Sequence, residues 1–183
     1  MIINLVTHNT GKVKEFKEIL EPKITVNHID IEYPELRSDD PIEIASLASQ
    51  QLSKILNKPV VVEDSGLFVT SLNDFPGTCS AYIHKRIGLL GILKLMKGIK
   101  NRTVYYKSAV SYCKPGKKPV TFLGIEKGKI SNEIKGKYGF GHDSIFIPLR
   151  NKKTYGEMKD CHTVKKFRKK AILKLMSYLQ HGD

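Results

Sequence analysis

The stretch "KPVVVEDSGLFV", residues 58–69, decides how the rest of the chain is read. Its β-branched run closes on a pair of carboxylates and a Ser-Gly step, so Val60–Val62 is expected to be a central strand and Ser65-Gly66 a turn. In open α/β sheets, ligand sites gather at the carboxyl ends of strands. Glu63 and Asp64 stand at such an end, and a carboxylate pair there suits Mg²⁺, which prefers oxygen ligands and bridges protein carboxylates to phosphates. The competing reading is a turn aspartate bonded to its own backbone.

Working outward towards the N-terminus, Ile2–Val6 reads as a short buried strand. From Lys12, apolar Val13, Phe16, Ile19 and Leu20 recur at helical spacing and stop before Pro22. Thr25–Ile31 reads as a second strand, and Pro41–Leu56 as a long helix with proline in its first turn. Towards the C-terminus, Ser80–Met96 is helical in pattern. Thr103–Cys113 and Pro119–Lys129 flank "KPGKK" as a β-hairpin, "IFIP" (145–148) is a short strand, and Val164–Leu179 repeats apolar residues at spacings of three and four. Strands alternate with helices before the hairpin enters. The fold class expected is therefore α/β, with a sheet of mixed direction.

Length and charge bound what the chain can do. Its 183 residues suffice for one domain with a substantial core. No apolar run reaches the roughly 18–20 residues of a membrane span, and the first residues lack a signal peptide's basic-then-apolar layout. Cys79, Cys113 and Cys161 are odd in number and far apart, which fits neither a disulfide framework nor a zinc site; they are expected to be buried small apolar groups in a reducing cytoplasm. The net charge of +13 is uneven. Residues 1–93 carry 9 basic against 12 acidic side chains, and residues 94–174 carry 22 against 5. Such asymmetry suits an anionic partner, whether nucleotide, nucleic acid or acidic membrane surface. Nucleic acid is the less favoured of these, because Lys165, Lys166, Arg168, Lys169 and Lys170 share a helix with a clean apolar face and lack interleaved aromatics.

Two further stretches carry chemistry. In Thr7-His8-Asn9-Thr10-Gly11-Lys12, a strand leads into a helix whose first N–H groups and dipole favour an anion. Hydroxyl and amide donors, a glycine and a lysine there make a seat for phosphate; a capped helix start uses the same residues. The spacing is not that of a P-loop. In "YGFGHDSIFIP" (138–148), Phe140 between glycines offers a flat apolar surface, with the Asp143 carboxylate three residues on, a pairing that suits a purine base. Gly-flanked aromatics also serve as plain packing residues. His8, His84 and His142 show no metal spacing, although His8 and His142 fall inside these two loops.

Taken in order, T-x-N-x-x-K, E-D-S-G-L, F-P-G-T-x-S, F-G-x-D-x-I-F-I-P and T-Y-x-E-M (Thr154–Met158) resemble the inosine triphosphate pyrophosphatase family over Ile2–Leu179. The resemblance implies one domain over residues 1–183, an elongated mixed β-sheet with flanking helices forming two lobes around a central cleft, and usually a homodimer. It also implies Mg²⁺-dependent hydrolysis of ITP, dITP and XTP to the monophosphate and pyrophosphate. Carried over by matching positions, Thr7, Asn9 and Lys12 hold the triphosphate, with His8, Thr10 and Gly11 in the same loop. Asp64 binds metal and orients or deprotonates the attacking water, Ser65 meets the phosphates, and Glu35 is the second metal carboxylate. Phe140 packs on the base, with Gly141 and His142 in its loop. Asp143 contacts the base edge, His162 stands where the family has a lysine, and Arg168 reaches the 6-oxo group.

This chain departs from the family pattern at one end. The terminal S-H-R is Lys166-Phe167-Arg168, F-G-x-D-P has Ser144 for proline, and the lysine of the second helix is Gln50. The phosphate and metal ends keep the pattern while the base-reading end does not. The change bears on selectivity against ATP and GTP; against ATP, the site must reward a 6-oxo acceptor over a 6-amino donor. A broader nucleoside triphosphate pyrophosphatase and a basic nucleic-acid-binding protein without turnover are the alternative readings.

Overall fold

The computed structural model describes residues 1–34 and 36–181. Along the chain run β1 (Ile2–Val6), α1 (Thr10–Leu20), β2 (Thr25–Ile29), α2 (Pro41–Leu56), β3 (Val60–Val69), β4 (Pro76–Gly77), α3 (Ser80–Leu95), β5 (Thr103–Cys113), β6 (Val120–Ile130), β7 (Phe146–Pro148), α4 (Cys161–Val164) and α5 (Phe167–His181). The strands form one mixed sheet in the order β2-β1-β3-β5-β6-β7, with β4 paired to β3. β1 is parallel to β2 and β3, whose connections pass through α1 and α2 as parallel crossovers require. β4 is antiparallel to β3, and β7 to β6. The expected α/β class with a mixed sheet is what folds.

The chain divides into two compact units. The first comprises residues 1–64, 108–124 and 167 onward. Its sheet is covered on both faces, which is why its strands read as unbroken apolar runs. Val61 joins Ile3, Leu5, Phe16, Leu20 and the α5 residues Ala171, Ile172 and Leu175 in one buried cluster. Val60 and Val62 join Val6 and the α2 residues Ala48 and Leu52 in another. The two-residue side-chain period of a strand sorts the three valines to opposite layers. α5 meets β6 at a bare backbone: a Cβ added to Gly124 falls 1.9 Å from the Phe167 carbonyl oxygen.

The second unit holds residues 65–107 and 125–166. Its core includes a run of aromatic rings, Tyr106 against Phe146 at 4.4 Å between centroids and Phe146 parallel to Tyr155 at 5.5 Å. Ser80 ties α3 to the strands by donating to the Gly77 carbonyl and accepting from the Leu67 N–H.

Three expectations are corrected. Ser65-Gly66 is no turn, because β3 runs ten residues to Val69. Gly66 serves the strand instead: a Cβ there falls 2.0 Å from the Gly77 carbonyl oxygen, so only glycine lets β4 approach this closely. The last helix does not run unbroken from Val164. α4 ends at that residue, Lys165 takes φ −59° and ψ 127°, and α5 begins at Phe167. Finally, Cys113 and Cys161 are buried as expected, but Cys79 is exposed. No helix among the described residues is long and apolar enough to cross a membrane.

Candidate active site

In the first unit, the turn between β1 and α1 is built as a cap. The Asn9 side chain accepts from the Lys12 N–H at 3.2 Å, and Thr7 Oγ1 accepts from the Asn9 N–H at 3.1 Å. Asn9 thus satisfies one of the N–H groups that every helix start leaves unpaired. His8, Asn9 and Thr10 are exposed, Gly11 and Lys12 half-buried, and no acidic residue occupies the first turn of α1. His8 pairs with Asp30.

Lys12 reaches back from α1 to β3. Its Nζ donates to the Glu63 backbone carbonyl and pairs with Glu63 Oε2, both at 2.8 Å. Glu63 is buried, and its Oε1 also accepts from Ser108 Oγ at 2.5 Å and from Arg168 Nε at 3.0 Å. The Arg168 guanidinium continues to Glu15 through Nη1. Burial alone pushes the Glu63 carboxyl up, but Arg168 and Lys12 beside it outweigh that and hold it at about 2. Burial works against the Arg168 charge too, yet Glu63 and Glu15 raise its pKa above the ordinary arginine range. Two cations and two carboxylates therefore form one charge-balanced cluster, buried but for half-buried Lys12, the arrangement a buried ion requires.

Consecutive strand residues point to opposite faces, so Asp64 faces away from Glu63. The two do not act as a chelating pair. Glu63 is bound to cations of the protein, whereas Asp64 is half-buried. Glu35, the other expected metal carboxylate, lies outside the described residues. Among the described residues, no group of three or more His, Cys, Asp or Glu side chains is placed to hold a metal ion.

In the second unit, the loop at residues 138–148 gathers the groups expected to meet a base. Asp143 is buried at the start of a 3-10 turn; its Oδ2 accepts from the Phe140 N–H at 2.8 Å and its Oδ1 from Tyr106 Oη at 3.3 Å. The Lys165 ammonium lies 2.6 Å from Asp143 Oδ2 and 4.2 Å from the centre of the Phe140 ring. The His162 ring lies nearly parallel to Phe140, with centroids 6.4 Å apart. His142 is buried edge-on against His84, and its Nε2 finds no hydrogen-bond partner among the described residues. Burial, with His84 adding to it, pushes the His142 pKa down to about 3, so its imidazole is neutral. His84 Nε2 donates to the Gly141 carbonyl at 3.0 Å.

The stretch Thr154–Met158 adjoins this cluster through Tyr155, which stacks on Phe146. Thr154 and Glu157 close a reciprocal cap on a 3-10 turn. Tyr155 Oη then donates to Glu126 Oε1 at 2.6 Å, while Glu126 Oε2 accepts from the Lys166 N–H at 2.8 Å. Burial and the adjacent Glu126 raise the Tyr155 phenol far above its ordinary pKa, so it stays a donor. This chain of contacts holds the break between α4 and α5 and so aims Lys165.

The structure thus brings Thr7, Asn9 and Lys12 together in the first unit, with Arg168 reaching the same cluster through Glu63. It brings Phe140, Gly141, His142, Asp143 and His162 together in the second unit, where half-buried Ser65 also lies on β3. Phe167, in the position of the family histidine, is buried against the core. Sequence reading missed Glu15, Ser108, Tyr106 and Lys165. A single helical turn separates Glu15 from Lys12, and Lys165, read from sequence only as part of a charged helix face, adjoins Lys166-Phe167-Arg168; Ser108 and Tyr106 come from distant segments.

Comparison with known proteins agrees with the motifs. The chain belongs to the Ham1 family, whose model matches residues 3–178. It is 46% identical over 159 residues to the dITP/XTP pyrophosphatase of Methanopyrus kandleri, covering 86% of this chain and 85% of that one. The dITP/XTP pyrophosphatase of Saccharolobus solfataricus is 45% identical over 157 residues, covering 85% and 81%. Among solved structures, the Staphylococcus aureus Ham1 protein superposes with a TM-score of 0.83 at 28% identity over 98% of both chains. A HAM1 protein from Coxiella burnetii, at 23% identity and a TM-score of 0.85 over the full length of both, shares the fold.

Proposed function

We propose that this protein hydrolyses the non-standard purine nucleoside triphosphates ITP, dITP and XTP to the monophosphate and pyrophosphate. One observation carries the reading: relatives named dITP/XTP pyrophosphatase are 46% and 45% identical to this chain over more than four fifths of both lengths. Residues 1–183 act as one catalytic domain, cytoplasmic and paired as a homodimer.

The roles divide by cluster. Thr7, His8, Asn9, Thr10, Gly11 and Lys12 take the phosphates, using the N-terminal N–H groups of α1 and the lysine charge, and Ser65 adds a hydroxyl. Asp64 orients the attacking water and accepts its proton as the αβ anhydride is cleaved. Its carboxylate, with Glu35, offers the hard oxygen donors that Mg²⁺ takes, and that ion when bound neutralises charge on the leaving pyrophosphate. Phe140 stacks on the base, Asp143 accepts from its edge, and Gly141, His142 and His162 line the same loop cluster. Arg168 belongs by pattern to the base end as a fixed donor; in this structure its Nε and Nη1 hold Glu63 and Glu15.

The test is pyrophosphate release from ITP, dITP, XTP, ATP, GTP and CTP, each with and without Mg²⁺. The expected result is Mg²⁺-dependent release confined to the first three. Equal release from ATP and GTP overturns the selectivity, and no release from any triphosphate overturns the activity.

A further inference from the structure

The base-contact groups of the second unit already have a cation of their own. Lys165 is buried, its ammonium 2.6 Å from Asp143 Oδ2 and 4.2 Å from the Phe140 ring centre, on a backbone break pinned through Lys166 to Glu126. We propose that Lys165 is a specificity-determining residue that donates a hydrogen bond to the 6-oxo group of the purine, beside Asp143 and against Phe140. The proposal rests on the reading of Phe140 and Asp143 as base contacts.

The chemistry follows from the pair. A 6-oxopurine presents an acceptor, O6, next to a donor, the N1–H. Lys165 and Asp143 present a donor next to an acceptor, in a fixed order, to a ring held flat on Phe140. An ammonium has donors only, and a carboxylate has acceptors only, so neither can switch roles. Adenine presents the reverse order, a 6-amino donor beside an acceptor N1. Its amino group then faces the ammonium and its N1 faces the carboxylate. Both mismatches leave buried groups unpaired, which is the costly case and the basis of strong discrimination. Because the Lys165–Asp143 pair is formed before any base arrives, the two groups are already neutralised and oriented.

The experiment is a cycle between the Lys165 side chain and the substrate O6. The kcat/KM for ITP and for 6-thioinosine triphosphate, which keeps the N1–H but puts a weakly accepting sulfur in place of O6, is measured in the wild type, Lys165→Met and Lys165→Arg, with melting temperatures recorded. The wild type is expected to prefer ITP by about 10–100-fold, the range for one hydrogen bond to a charged donor. In Lys165→Met that preference is expected to fall to within about 3-fold, and Lys165→Arg to restore much of it. A preference unchanged in Lys165→Met overturns the proposal. If Lys165→Met fails to fold, the double variant Lys165→Met/Asp143→Asn decides, since it leaves no unpaired buried charge: an ITP preference equal to the wild type's in that variant overturns the proposal. A wild type inactive on every triphosphate instead removes the function proposed above, which separates the two failures.

Discussion

Arg168 Nε donates to Glu63 Oε1 at 3.0 Å, joining the start of α5 to the middle of β3 across 105 residues of sequence. The contact makes the basic C-terminal helix part of the first unit's interior rather than a charged outer face alone. Both side chains are buried, so removing either one unbalances the charges of the Lys12–Glu63–Arg168–Glu15 cluster.

Glu63 therefore makes the protein acid-sensitive. Its carboxyl is held at about 2 against an ordinary 4.5, so the stabilisation it contributes is complete above about pH 4.5 and is lost as pH falls towards 2. The whole term is on the order of 3 kcal/mol. Glu63→Gln is expected to lower stability at pH 7 by about 3–5 kcal/mol. Urea unfolding from pH 7 to pH 3 should then show a shallower loss below pH 4.5 than in the wild type; parallel curves rule the assignment out.

His142 acts at a higher pH. Its folded pKa of about 3 lies below the ordinary 6.5, so the unfolded chain binds a proton first and stability drains away as pH falls from 6.5 towards 3. At about pH 5 the loss amounts to about 2 kcal/mol. His142→Phe should remove this part of the acid limb, leaving unfolding midpoints between pH 7 and pH 5 nearly level. An unchanged slope in that range would place the titrating group elsewhere.

Asp64 is expected to separate chemistry from folding. It is half-buried and faces away from the buried charge cluster. Asp64→Asn should lower kcat for pyrophosphate release by about 10²–10⁴-fold, the contribution of a positioned base, with little change in melting temperature. Activity retained within about threefold would move the base to another residue.

Much of the fold was legible because it is written in short range. Three valines in sequence mark a strand covered on both sides, and the caps and turns around α1 and α2 lie within a few residues of the helices they start. What escaped is set by distant contacts. Glu63-Asp64-Ser65-Gly66 looks like a turn by composition, yet Gly66 is strand because β4 passes against it. The apolar spacing of 164–179 runs unbroken through Lys165-Lys166, and the interruption is made by Glu126, forty residues away. The candidate site divides the same way. Its motif residues could be named from order and type, whereas Glu15, Ser108, Tyr106 and Lys165 carry no motif and are defined by what they touch.

The notch at Gly124 has a consequence for how α5 can sit. Where the helix start meets the strand, backbone lies against backbone, and the nearest alternative seats along β6 carry side chains. A shift of α5 by one turn would set Phe167 against Phe122 or Glu126 instead of the bare position at Gly124. The helix is thereby indexed: it docks at one height on the strand, as a key stops at one depth, and Arg168, the next residue, arrives level with Glu63 as a result.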